Sequence, residues 1–98
     1  MPFIQIIEYK TSKPDEVNAV FEEFFAATEG RRSGHGYACR DRDRDDTYVN
    51  VVVFPSYQEA MANSELPETR AMADKLVALC DGQPSFTNLD VLRTDGGS

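Results

Sequence analysis

Tryptophan is absent from this chain, histidine occurs once, cysteine occurs twice, and acidic residues outnumber basic ones 17 to 10. Each shortage excludes something. One histidine and two isolated cysteines, with no CxxC, HExxH or Cys/His cluster, do not furnish a transition-metal site, so no metal is expected. Cys39 and Cys80 read as buried or half-buried free thiols of an intracellular protein. A net charge of −7 with no face rich in Lys or Arg argues against a nucleic-acid partner. No apolar run reaches the length of a membrane span, and the first residues lack a basic segment followed by an apolar one. No membrane association is expected, and the location read from this is cytoplasmic. What remains is a chain of 98 residues, 41% apolar and 28% charged. That suits a single domain over residues 1–98, with a core from about 3 to 93 and a polar tail at 94–98 expected to fray.

The hydrophobic period changes cleanly along the chain. Phe3 to Lys10 is a strand with Phe3, Ile7 and Tyr9 on one face and Ile4 and Ile6 on the other, so both faces call for cover. Pro14, Asp15 and Glu16 open a helix, where proline and negative charge are favoured. Val17, Val20, Phe21, Phe24 and Phe25 then follow the stripe of a core-facing helix, and Gly30 ends it. A glycine-rich loop from Arg31 to Gly36 leads to two hairpin strands, Tyr37 to Arg42 and Thr47 to Phe54. The charged run between them reads as a solvated tip, because surface carboxylates without a fixed cage hold cations weakly.

Pro55 stops the third strand, since proline cannot donate to a ladder. Ser56 with Glu59 three residues on has the spacing of a capping box, and Asn63-Ser64 breaks the helix that follows. Pro67 starts a second segment, which Asp81-Gly82 closes. Ser85 to Arg93 is the last strand, with Leu89 and Val91 on one face. The order is β-α-β-β-α-β with a split second helix, a ferredoxin-like α+β fold on a four-stranded antiparallel sheet. Crossover handedness is expected to set the first and third strands side by side and parallel at its centre. Helices cover one face. Ile4, Ile6, Val49, Val51 and Val53 occupy the other, and a homodimer stacked through that open face would bury it.

Several side chains are candidates for a pocket. His35, between Gly34 and Gly36, has an unperturbed pKa near neutrality; a loop histidine of no consequence is the simpler reading. Asn50 interrupts an apolar strand and by the period of two shares a face with Tyr48, Val52 and Phe54. Its amide needs partners, in a ligand, a water or the backbone. Tyr48 could donate to a phenolate-like oxygen or simply pack. Arg70 could neutralise an enolate, although a surface arginine is simpler. Tyr57 and Met61 on the short helix could form a lid.

The layout, with Phe54-Pro55-Ser56 and then Gln58-Glu59-Ala60, resembles the dimeric α/β-barrel superfamily. Within it the chain is similar to the antibiotic biosynthesis monooxygenase domain. That family carries a Trp-x-Ser before the short helix, a break like Glu65-Leu66-Pro67, a glycine-aromatic pair like Gly36-Tyr37 and an exit like Gly82-Gln83-Pro84. The resemblance implies a homodimer with one pocket per subunit, between sheet and helices. It also implies that Tyr48, Asn50 and Phe54 face that pocket, since the family tryptophan at the Phe54 position does. Some relatives oxidise polycyclic aromatics with oxygen and no cofactor, others degrade haem, and some isomerise lactones. Haem degradation is disfavoured here: Phe54 replaces the tryptophan, residues 64 to 80 hold no histidine, and Ile6 and Ile7 stand near the expected strand-one asparagine. The expectation is a cofactor-independent monooxygenase acting on an aromatic or enolisable molecule. The alternative is a non-catalytic dimeric module of the same fold, structural or binding a small apolar or aromatic ligand; an isomerase is also open.

Overall fold

The computed structural model describes residues 1–31 and 33–96. Gly97 and Ser98, part of the expected frayed tail, lie outside the described residues. The element order is β1 (Phe3–Lys10), α1 (Pro14–Ala27), β2 (His35–Arg40), β3 (Thr47–Phe54), α2 (Tyr57–Ser64), α3 (Pro67–Leu79) and β4 (Ser85–Asp90). The strands form one sheet in the order β2-β3-β1-β4. This is the ferredoxin-like fold with a split second helix.

One expectation is corrected. β1 and β3 are central neighbours but antiparallel, with Ile7 opposite Asn50. Crossing over α1 returns the chain parallel to β1 at β2, and the hairpin then reverses it into the gap between them. The crossover therefore relates β1 to β2, and the strand placed between the two must run the other way.

Local chemistry explains the helix ends. Pro14 and Pro67 occupy first turns, where a missing N–H costs nothing. Ser56 Oγ accepts from the Glu59 backbone N–H at 3.2 Å, one half of the capping box. α1 ends three residues before Gly30, because Thr28 caps it first. Its hydroxyl and its backbone N–H both donate to the Phe24 carbonyl, at 2.8 and 3.0 Å. Thr11, fully buried, fastens the end of β1 to α3. It donates to the Leu79 carbonyl at 2.7 Å and accepts from Lys13 N–H at 3.0 Å.

β2 starts at His35, inside the expected loop, and stops at Arg40, before Asp41 turns away. Asp41 Oδ1 accepts from the backbone N–H groups of Asp43 and Arg44, and its Oδ2 from Arg44 Nε at 2.8 Å. These bonds hold its carboxyl below the usual carboxylate range. Arg44 also reaches Glu8 at 2.8 Å, so the charged tip is a built turn pinned to β1. β4 stops at Asp90, and Val91 continues only as far as a bond to the Pro2 carbonyl.

Two groups of buried residues form the core under the helices. One gathers Ile7, Tyr9, Val17 and Leu76; the other gathers Phe3, Phe54 and Ala60. Cross-strand register puts Ile4, Ile6, Val49, Val51 and Val53 on the opposite face, which no helix covers. Tyr37, opposite Val51, and Leu89, opposite Ile4, join that face, with Tyr37 60% exposed. Cys39, opposite Val49 on the edge strand, is exposed rather than buried. Cys80 is half-buried. Among the described residues no helix is long and apolar enough to cross a membrane, and no cluster of His, Cys, Asp or Glu could hold a metal ion.

Candidate active site

The two core groups do not quite meet. Between them lies a cavity of about 110 Å³, whose walls include Ile7 from one group and Phe54 from the other. Phe21, Phe24 and Phe25 of α1 form its aromatic side, and Met72 and Thr69 of α3 close it from above. The Phe stripe thus serves core and cavity at once, with Phe25 47% exposed at the rim.

β2 approaches this site closely because it opens with glycines. A Cβ on Gly34 would stand 2.7 Å from the Val53 carbonyl oxygen and 3.0 Å from the Phe54 ring; one on Gly36 would stand 2.9 Å from the Val51 carbonyl. Neither contact is tolerable, so a side chain at either position would push β2 outward and open the wall.

Asn50 stands in the sheet wall of the cavity, 9% exposed. Its cross-strand neighbours are Ile7 on β1 and Ala38 on β2, neither able to hydrogen-bond from its side chain. Two other polar side chains in the lining are engaged. Thr69 Oγ1 donates to the Asn63 carbonyl at 2.6 Å, and Gln5 Nε2 to Asn88 Oδ1 at 3.3 Å. Two buried side-chain oxygens lack a hydrogen-bond partner among the described residues, Asn50 Oδ1 and Glu68 Oε1. The latter belongs to a carboxylate whose other oxygen takes Arg31 at 2.7 Å, an ion pair that holds the group below its ordinary range. Asn50 has no such compensation. A buried acceptor left unmade costs about 1–3 kcal/mol, so the position demands an explanation.

The other candidates part company with Asn50. Phe54 is buried beside it in the same wall. Tyr48 shares its face but lies beyond Phe21, stacked on Tyr9 with ring centres 5.7 Å apart. Those tyrosines line a separate, open cleft of about 270 Å³ with Asn18 and Arg40. Burial, followed by the neighbouring Cys80 and Tyr48, pushes the Tyr9 hydroxyl up to about 12. His35 contributes to the cavity wall, but β2 pairs it with Val53 on the open face, where its ring meets Tyr37 edge-on at 6.0 Å. Arg70 is exposed, and its neighbour Thr69 lines the cavity. Tyr57 and Met61 pack at the Phe3 end, Tyr57 edge-on to Phe3 at 5.4 Å.

Sequence reasoning passed over Gln5, Asn63 and Thr69. Gln5 was within reach, since it shares parity with Phe3 and Ile7. Asn63 and Thr69 carry no signal of their own; the break between α2 and α3 brings them in.

Both pockets open to water, and only the smaller combines aromatic walls with an unsatisfied buried amide. That combination is what orients a small planar ligand. Apart from His35, whose ring lies on the other face, no titratable residue among those described lines it. The site can therefore orient and hydrogen-bond a ligand, but it has no group placed to take a proton.

No family model matches the chain, and no curated protein does. Solved structures do. SnoaB of Streptomyces nogalater, a cofactor-independent oxygenase, superposes with a TM-score of 0.78 at 23% identity over 95% of each chain. A Caulobacter crescentus protein provisionally described as an antibiotic biosynthesis monooxygenase gives 0.82 at 14% identity, covering 94% of this chain and 91% of its own. Rv0793 of Mycobacterium tuberculosis gives 0.79 at 14% identity, covering 98% and 100%. The fold is that of antibiotic biosynthesis monooxygenase-like proteins across nearly the full length. Such a fold hosts many chemistries, so activity has to be argued from the site.

Proposed function

We propose that this protein is a small cofactor-independent monooxygenase of the antibiotic biosynthesis monooxygenase kind, acting on an aromatic or enolisable molecule bound against Asn50. The observation that carries the reading is the buried, unpartnered Asn50 Oδ1 in an aromatic cavity. An amide offers an acceptor and a donor, so a half-turn of its plane lets one side chain serve a neutral O–H and then its anion. Stabilising that anion in a water-poor site is what an oxygenase without a cofactor requires. The substrate carbanion then gives its electrons to O₂. One oxygen atom converts a CH₂ to a C=O and the other leaves as water with the two hydrogens, so the substrate is the only reductant consumed.

The likeness to SnoaB supports this direction. An oxygen electrode tests it with the wild-type protein and its Asn50→Leu variant on a series of enolisable phenols. Oxygen uptake one-to-one with carbonyl product, lost in the variant, is the expected result. Uptake that the substitution leaves unchanged refutes it.

The absence of a proton-accepting group in the cavity favours one second reading, a non-catalytic binding module in which Asn50 only holds the ligand. It also disfavours an isomerase, which must take and return a proton.

The protein on this account is a homodimer through the open sheet face. Covering ~600 Å² of that face per subunit contributes roughly 15 kcal/mol gross at about 25 cal/mol per Å², before association costs.

A further inference from the structure

We infer that the tyrosine cleft is a second binding site, separate from the Asn50 cavity, for a small aromatic carboxylate. Such a site stands independently of the oxygenase reading.

The cleft holds hydrogen-bond donors that have no acceptor. Tyr9 lines it and is only 7% exposed. Its hydroxyl makes no hydrogen bond among the described residues, yet protein does not seal it off as it seals Asn50 Oδ1. It is therefore open to an occupant of the cleft. Burial keeps the proton on that hydroxyl, so it donates. Tyr48, directly opposite on β3 with its ring stacked on Tyr9, brings a second hydroxyl. Arg40, opposite Tyr48 on β2, and Asn18 on α1 add a guanidinium and an amide. Thr11 also reaches the cleft, but its hydroxyl is engaged by the Leu79 carbonyl and the Lys13 N–H.

Charge sets the sign of the ligand. Arg31, Arg44, Lys75 and Arg93 each have an acidic partner, whereas Arg40 has none among the described residues. Among those residues it is also the one cation lining either aromatic pocket. A guanidinium and a hydroxyl that keeps its proton call for a group that only accepts. A carboxylate does so through both oxygens, and its plane matches the guanidinium fork. Asp15, the one acid in the lining, is not paired with Arg40 and opposes an anion.

The remaining wall is apolar and flat-sided, built from Phe21, Val17 and Pro14 beside the tyrosine rings. Aromatic faces of this kind favour an aromatic body on the acid. Because the cleft opens to water, it sets no limit on the number of rings. What it selects is the carboxylate.

Titration of the ¹⁵N-labelled full chain with benzoate, benzamide and inorganic phosphate tests this, in wild type, Arg40→Met, Tyr9→Phe and Asp15→Asn. Benzoate should shift the Asn18 NH₂ pair saturably and leave the Asn50 pair unmoved. It should bind at least about tenfold more tightly than benzamide, the weight of hydrogen bonds to a charged group. Arg40→Met should bring that ratio near one, and Asp15→Asn should raise it. Tyr9→Phe should weaken benzoate roughly threefold or more. Arg40 is exposed and Tyr9→Phe keeps the ring stack, so neither change threatens the fold. Benzamide bound as tightly as benzoate, or benzoate indifferent to Arg40→Met, overturns the inference. Phosphate bound as tightly as benzoate overturns the aromatic class. Benzoate that moves Asn50 and leaves Asn18 unmoved overturns the second site, whatever the Asn50 cavity does.

Discussion

Replacing Asn50 with leucine should make the protein more stable and useless at its task. The side chain is 9% exposed, and its oxygen has no partner among the described residues. An unmade buried acceptor costs about 1–3 kcal/mol, and an apolar residue of similar shape removes that cost. Leucine is branched where asparagine is, and its extra bulk can project into the adjoining 110 Å³ cavity without displacing Ile7 or Ala38. For a domain of this length each kcal/mol moves the melting midpoint by roughly 4–8 °C, so the expected rise is on the order of 4 to 24 °C. Differential scanning calorimetry of ligand-free protein reads it directly. Most core substitutions destabilise, which makes the sign diagnostic. A site that gives up stability to keep a polar group exposed to ligand is the usual trade of an active site. A variant that melts at or below the wild-type temperature refutes the reasoning, because the oxygen would then already be satisfied in the folded protein.

Other consequences can be measured separately. Val51→Asp, on the open face, should convert a dimer into monomer or aggregate by light scattering; a wild-type-like dimer contradicts sheet stacking. Thr11→Val keeps the shape but removes the bond to the Leu79 carbonyl, and should lower stability by about 1–3 kcal/mol in urea titration. The Tyr9 hydroxyl, pushed up to about 12 from an ordinary value of 10.0, holds its proton more tightly when folded. Its contribution to stability is therefore complete below pH 10 and lost as pH rises towards 12, so the urea midpoint should fall across that window. Tyr9→Phe should flatten the fall.

Much of the fold was legible because few residues do two jobs. Period-two reading of β3 put Asn50 on one face with Phe54, the family resemblance turned that face towards the pocket, and Ser56 with the two prolines marked the helix starts. The direction of β3 was missed because crossover handedness relates strands joined by a helix, whereas β3 reaches its place through a hairpin. Tyr48 and Asn50 share a face yet not a site, since the Phe21 ring from α1 stands between them, a tertiary fact with no local trace. His35 follows the same logic. Two extra residues at the start of β2 turn a loop histidine into a strand residue, and its parity with Tyr37 then carries the ring to the open face. Cys39 is exposed because that edge strand and that face are both uncovered.

The most direct test watches two side-chain amides at once. In ¹⁵N-labelled protein titrated with an enolisable phenol, the account predicts saturable shifts of the Asn50 NH₂ pair and the Thr69 amide, with the Asn18 NH₂ pair in the tyrosine cleft unmoved. Shifts at Asn18 with Asn50 unmoved would put the ligand in the larger cleft and contradict the site assigned here.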